Sequence, residues 1–231
     1  MKVPLSSRLL TCCNYVNRGD RVADIGCDHG YLGIYLLTNG IAQSIIAADI
    51  NEQPLHSATV NALKFGVRDK MRFFLSNGVV SIPRDFDTMV CAGMGADTMI
   101  SILTAAPWLK NDRYRLILQC QSKTPMLRRW LYEQGWSIRR ETLAKDGKFV
   151  YSVMEVVFTP SESPAPWEHY ISKALLQDGS LLLPEYYDRI RQGLGLNVAG
   201  MRRSGHAELP AYEEALTQLE ALEEQINEHS R

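Results

Sequence analysis

Asp24, Gly26, Asp28, His29 and Gly30 crowd two acids, a histidine and two glycines into one short stretch. A third acid, Asp49, follows about 20 residues later, the interval of a nucleoside-binding βαβ unit. An apolar run, Val22 to Ile25, leads into the first group, and a second, Ile45 to Ala48, leads into Asp49. Strand, glycine turn, helix, strand and terminal acid together predict such a unit. Gly26 and Gly30 are expected to let ligand atoms approach the backbone. Asp49 is expected to accept hydrogen bonds from two ribose hydroxyls. The turn lacks the GxGxxG spacing of a dinucleotide site. Asp28 and His29 stand where a diphosphate would lie, and a carboxylate there repels pyrophosphate. It suits a cation, such as a sulfonium carrying an amino group, although Asp28 could also cap the next helix. Asp24, inside the strand end, is expected to order the turn through backbone N–H groups. His29 reads either as a general base or as a structural hydrogen-bonding residue.

Ligands of a doubly wound sheet bind at the C-terminal strand ends. Three further ends therefore matter: Asp49-Ile50-Asn51, Asn77-Gly78 and Cys91-Ala92-Gly93-Met94-Gly95. The Asn77 amide offers a donor and an acceptor to an adenine edge. The small residues around Gly93 would let a flat substrate reach a cofactor. His56, His169, His206 and His229 lack acidic or cysteine neighbours at ligand spacing and read as non-catalytic. No nucleophile elbow, phosphate-cradling GK[ST] loop or HExxH motif occurs. The five cysteines form no CxxC pair, so reduced, packed thiols are expected and no metal.

The elements that must position these residues follow from hydrophobic period and turn chemistry. A helix is predicted from Leu5 to Val16. Strands are predicted at Val22–Ile25, Ser44–Ile50, Met71–Leu75, Thr88–Ala92 and Arg115–Gln119. Helices are predicted over 54–65, from Asp97 to Ala106 and over 124–134. Two more strands, near 137–143 and 149–158, flank Asp146-Gly147 as a hairpin. Continuous apolar strands separated by helices imply a parallel sheet covered on both faces. With a terminal antiparallel hairpin, this is the α/β arrangement of Rossmann-like class I methyltransferases, a mostly parallel seven-stranded sheet.

At 231 residues, the chain has room for one sizeable core and a smaller appendage. No apolar run is long enough for a membrane span, and the N-terminal residues read as mature cytoplasmic sequence. The net charge of −1 hides an asymmetry: residues 1–160 hold 19 basic against 14 acidic side chains, and residues 161–231 hold 6 against 12. Basic clusters fall at Arg68, Lys70 and Arg72; Lys110, Arg113 and Arg115; Arg128 and Arg129; Arg139 and Arg140. They could track a phosphate backbone or be solvated surface. Prolines between Thr159 and Pro166 predict a linker, which divides the chain into a catalytic domain (1–160) and a helical domain (167–231). In the latter, Tyr212, Leu219 and Ile226 recur every seven residues, with Ala215 and Leu222 between them. This is a short coiled-coil seam, serving either as an arm or as a helix hairpin packed on itself. Its acidity leaves Arg189, Arg191, Arg202 and Arg203 as the better phosphate contacts of the tail.

Across nearly its whole length the chain resembles the bacterial tRNA (adenine-N1) methyltransferases of the TrmK family. The resemblance rests on Leu5-Ser6-Ser7-Arg8-Leu9, on Ala23 to Leu32, on Ala92-Gly93-Met94-Gly95 and on Leu116-Ile117-Leu118-Gln119. Trp130-Leu131, Glu141 to Lys148, Leu175-Leu176 and Pro184 to Tyr187 also match. Ala96, Asn77, Cys120 and Lys173-Ala174 depart from the family pattern. The resemblance implies methyl transfer from S-adenosylmethionine to N1 of a tRNA adenine, at position 22. A monomer is expected. The strand ends then assign the cofactor to Asp24, Gly26, Asp28, Gly30, Asp49, Ile50, Asn77, Gly78, Ala92, Gly93 and Met94. Asp28 and His29 are then the catalytic candidates, Asp28 as electrostatic partner of the cationic product. Arg8, Tyr31, Arg128 and Arg129 are the RNA candidates. Arg8 faces either the methionine carboxylate or the RNA backbone, and Tyr31 either stacks or packs. A paired or stacked adenine would have to be extruded. The rival readings are a nicotinamide-dependent oxidoreductase, a small-molecule methyltransferase and a non-catalytic RNA-binding module.

Overall fold

The computed structural model describes residues 2–159 and 163–228. Seven strands form one sheet: β1 (Arg21–Ile25), β2 (Ser44–Asp49), β3 (Met71–Leu75), β4 (Thr88–Met94), β5 (Arg115–Cys120), β6 (Trp136–Asp146) and β7 (Phe149–Phe158). Their spatial order is β3-β2-β1-β4-β5-β7-β6. The first five pair in parallel, and β7 runs antiparallel between β5 and β6. The chain reverses its direction of travel across the sheet between β1 and β4, which opens a crevice at their C-terminal ends.

Burial follows the continuous apolar runs of the sequence. All of β1 after Arg21 is buried, as is nearly all of β2 and β5. One face of the sheet is closed by α4 (Ala96–Thr104) and α5 (Thr124–Glu133), through Met99, Leu103, Leu127 and Leu131. The other is closed by α1 (Ser7–Asn14), α2 (Tyr31–Thr38) and α3 (Glu52–Lys64), through Cys12, Cys13, Ile34, Leu36 and Ala58. The first helix is shorter than predicted. Pro4 cannot donate a helical N–H, and Tyr15 closes the C-terminal end with its N–H bonded to the Cys12 carbonyl.

The C-terminal helices α6 (Lys173–Asp178), α7 (Leu183–Ser204), α8 (Leu209–Glu220) and α9 (Glu223–Glu228) build a third core against β6 and β7. The heptad residues Ala215, Leu219 and Ile226 are buried there with Tyr186, Tyr187, Leu194 and Val198 of α7. The seam is therefore a hairpin packed on itself, interrupted between α8 and α9. The centre of the predicted linker, residues 160–162, and His229 lie outside the described residues. Among the described residues, no helix is long and apolar enough to cross a membrane.

Arg128 corrects an RNA-binding expectation. It is fully buried on the inner face of α5. Its guanidinium pairs with the Glu141 carboxylate of β6 and donates to the Tyr170 carbonyl at 2.7 Å and the Tyr186 hydroxyl at 3.0 Å. Ser152 and Ser172 donate to the same carboxylate. Burial opposes the Arg128 charge, but Glu141 outweighs it and holds its pKa above the ordinary value. Successive helical residues lie about 100° apart, so Arg128 and Arg129 cannot share a face. Arg129 is the outer one, paired with Glu133 at 2.9 Å and Glu208 at 3.5 Å.

Several other basic candidates are also tied into the fold. Arg115 joins Asp20 at 3.0 Å and Glu155 at 2.8 Å. Arg140 also meets Glu155, and Arg72 meets Asp85 at 2.8 Å. In the tail, Arg189 donates to the Val150 carbonyl at 2.6 Å, and Arg202 pairs with Glu213 at 2.6 Å.

Candidate active site

The crevice between the C-terminal ends of β1 and β4 holds a cavity of about 430 Å³. Its walls include Arg8, Asp24, Gly26, Asp28, His29, Tyr31, Asp49, Ile50, Asn77, Gly78, Ala92, Gly93 and Met94. The sequence candidates from four strand ends are thus brought together. Gly30 is the exception and a correction. It sits at φ +71°, and a Cβ there would lie 2.9 Å from the Ala58 Cβ of α3. Its missing side chain lets α3 pack close rather than letting a ligand approach.

A larger cavity, about 840 Å³, lies between α5 and α8. Of its charged groups, Arg129 pairs with Glu133 and Glu208, and Lys123 with Asp97, and no strand end of the parallel sheet reaches it. The smaller cavity is where the unpaired chemistry lies.

Asp49 is the organising acid of that cavity. Its Oδ2 accepts the Asp28 N–H at 3.2 Å, and its Oδ1 accepts the Asn51 N–H at 3.0 Å. Each oxygen keeps a second lone pair for a ligand hydroxyl. Asp28 is held at φ 48°, a left-handed conformation that aspartate tolerates better than most residues. Its side chain is 73% exposed, and its Oδ1 lies 3.7 Å from His29 Nε2. The following helix has Gly30 at its N-cap and no side-chain cap, so Asp28 is free of that duty. The His29 ring lies 5.9 Å from the half-buried Tyr31 ring, on the same rim.

Asp24 is buried, and its Oδ2 has no hydrogen-bond partner within the protein. Burial, and then the charges of Asp49 and Asp28, push its pKa up to about 7 against the pull of the Gly33 N–H. Asp24 orders the turn only in part. The orphaned oxygen keeps its capacity to accept a hydrogen bond, and a buried carboxylate left unpaired is costly.

Sequence reasoning about single residues missed Gln119. Fully buried at the end of β5, it accepts from Arg8 Nη1 at 2.7 Å and from the Gly93 N–H at 3.0 Å. Its Nε2 donates to the Cys120 carbonyl at 3.1 Å. Arg8 also meets Asp146 at 3.3 Å and lies so close over Gly93 that a Cβ there would be 3.2 Å from Nη1. One amide closing an otherwise apolar strand was the available signal.

Cys27, Cys91 and Cys120 stand near the site as free, buried thiols. Burial pushes the Cys91 pKa up to about 12, which removes it as a thiolate nucleophile at neutral pH. Among the described residues, no group of three or more His, Cys, Asp or Glu side chains could hold a metal.

Residues 5–154 match the model of a methyltransferase domain. The chain belongs to that family. Within it, the chain stands with the tRNA methyltransferases: it is 32% identical over 157 residues to the putative tRNA methyltransferase MG248 of Mycoplasma genitalium, a match that covers 66% of this chain and 69% of that relative. The chain is 31% identical over 154 residues to the tRNA (adenine(22)-N(1))-methyltransferase of Bacillus subtilis. That match covers 66% of this chain and spans 65% of the length of the B. subtilis relative. A protein of the NADB-Rossmann superfamily from Streptococcus agalactiae is 26% identical, covers 100% of this chain and 99% of its own, and superposes with a TM-score of 0.80. M. capricolum TrmK, solved in complex with S-adenosyl-homocysteine, shares the fold: 23% identity, 96% of this chain and 99% of its own, TM-score 0.79.

Proposed function

We propose that the chain transfers a methyl group from S-adenosylmethionine to N1 of an adenine in tRNA, with position 22 the expected target. The observation that carries this reading is the orphaned Asp24 carboxylate oxygen beside Asp49 in the β1–β4 crevice. One acid suits a cationic amino group, and the other suits ribose hydroxyls. The B. subtilis relative is an adenine-N1 tRNA methyltransferase, and M. capricolum TrmK binds the demethylated cofactor, which supports the same assignment.

When bound, S-adenosylmethionine supplies an electrophilic methyl group. Asp24 would hold its amino end and Asp49 its ribose, while Ile50 and Ile102 offer apolar surface to its adenine ring. Asn77, which lines the cavity, would meet the polar edge of that ring. Adenine N1 carries its own lone pair and is largely unprotonated at neutral pH. The residues therefore need mainly to align it and to stabilise the charge that develops on the product. Asp28, with His29 beside it, faces the cavity mouth for that purpose. A unit charge 4 Å away is worth about 1 kcal/mol in water and about 4 kcal/mol at a protein surface. A docked RNA that excludes water would thus strengthen the effect of Asp28. Tyr31 is on the same rim for an extruded base, and Arg8 is placed over the Gly93 loop. A tRNA substrate supports a cytoplasmic setting.

The test is to incubate the full chain with S-adenosylmethionine and unmodified bulk tRNA, then digest and analyse the nucleosides. 1-Methyladenosine is expected. Cofactor binding by calorimetry without 1-methyladenosine in any tRNA would defeat the proposal.

A further inference from the structure

The β6–β7 hairpin projects beyond the C-terminal edge of β5, on the side where the cavity opens. Gln119 at the end of β5 pairs with Val153, so β7 residues 149–152 extend past that edge. Phe149, Tyr151 and Val153 alternate onto one face of β7, and Val153 is buried in the core shared with α1. Val150, on the opposite face, is buried against the C-terminal helices. Phe149 has no such cover and remains 48% exposed. Its ring lies 6.1 Å from that of Tyr151, and the exposed Lys148 places Nζ 5.3 Å from the Phe149 centroid.

The hairpin tip is also fastened to the cavity. Ser7 donates to the Lys145 carbonyl, and Arg8, which lines the cavity, pairs with Asp146. Asp146 is the cross-strand partner of Phe149. An aromatic face crowned by a cation therefore stands one residue pair from an arginine of the cavity wall.

We infer that Phe149, with Tyr151 behind it and Lys148 above it, is a stacking platform for an unpaired RNA base neighbouring the methylated adenine. Aromatic rings interleaved with cations hold single-stranded nucleic acid without reading its sequence, the ring taking a base and the cation a phosphate. The position fits a nucleotide flanking the target, because the platform continues the cavity wall through Asp146 and Arg8. The inference rests on RNA being the substrate of the cavity.

The experiment measures affinity of the full chain for unmodified bulk tRNA across a salt series, with S-adenosyl-homocysteine binding as a control for the cavity. F149A is expected to weaken tRNA binding about 5-fold or more, the effect of losing one stacked base. F149W is expected to restore it, and cofactor affinity should stay unchanged in both. K148A is expected to lower the salt slope by about 0.7, one phosphate contact on a single strand. F149A binding tRNA within two-fold of the parent would overturn the platform. The binding arm needs no turnover. A parent that binds tRNA but yields no 1-methyladenosine defeats the proposed function alone, and the F149A result still decides the platform. A parent that does not bind tRNA overturns both.

Discussion

Asp24 shows how one buried carboxylate can serve a ligand and burden the fold. Its pKa stands raised, from 3.8 to about 7, by burial first and by Asp49 and Asp28 after it. The folded chain therefore holds a proton that the unfolded chain releases. The stability this group contributes is fully present below 3.8 and is lost as pH rises to about 7. Asp24→Asn should remove that component, seen as a flatter dependence of Tm on pH over the same window. A cationic amino group beside Oδ2 favours the ionised acid. Affinity for S-adenosyl-homocysteine should accordingly rise with pH toward about 7 in the parent and lose that component in Asp24→Asn, measured by calorimetry in matched buffers. Gln119 makes a separate prediction. Gln119→Leu strands the Gly93 N–H and takes one partner from Arg8, which loosens the loop proposed to admit the target base. Single-turnover methyl transfer should fall about 10-fold, a barrier change of about 1.4 kcal/mol, with cofactor affinity nearly intact. Gln119→Glu keeps the acceptor for both donors and should recover most of the rate.

At the scale of elements, α5 is the joint between the sheet and the C-terminal helices. Arg128 reaches from it to β6 through Glu141, to the Tyr170 carbonyl and to α7 through Tyr186. Removing one partner of a buried pair leaves the other charged and unsatisfied, at a cost of about 3–5 kcal/mol. Arg128→Ala should lower stability by that amount in urea unfolding. Arg129→Ala, on the outer face, should cost about 1 kcal/mol or less, because exposed pairs contribute little. The same element logic explains Gly30, which serves the contact between α2 and α3 rather than the ligand.

At the scale of the whole molecule, the sheet order places the crevice and the hairpin places its rim. Two cores sandwich the parallel strands, and a third fastens the tail to β6 and β7. The acidic tail spends its hydrophobic seam on α7, so its helices act as a support for the hairpin. The hairpin is held on one side by Arg189 and Lys145–Glu185, and on the other by Ser7 and Arg8. Both sets of contacts stiffen the edge from which Phe149 projects.

The sequence by itself determined the alternation of strands and helices, the hairpin at Asp146-Gly147 and the acid at the end of β2. These are written in local period and turn chemistry, which need no knowledge of distant neighbours. The glycine-and-acid turn and the Gly93 loop were legible as parts of one site because strand ends converge in such a sheet. Only the tertiary structure decided which arginine of the 128–129 pair lies inside, since a doublet does not reveal which helix face meets the core. Only the tertiary structure showed Gly30 against Ala58, Arg8 bound by Gln119, and Asp24 deprived of a partner. Close approach, desolvation and long-range pairing depend on residues far apart in the chain, and no local pattern encodes them.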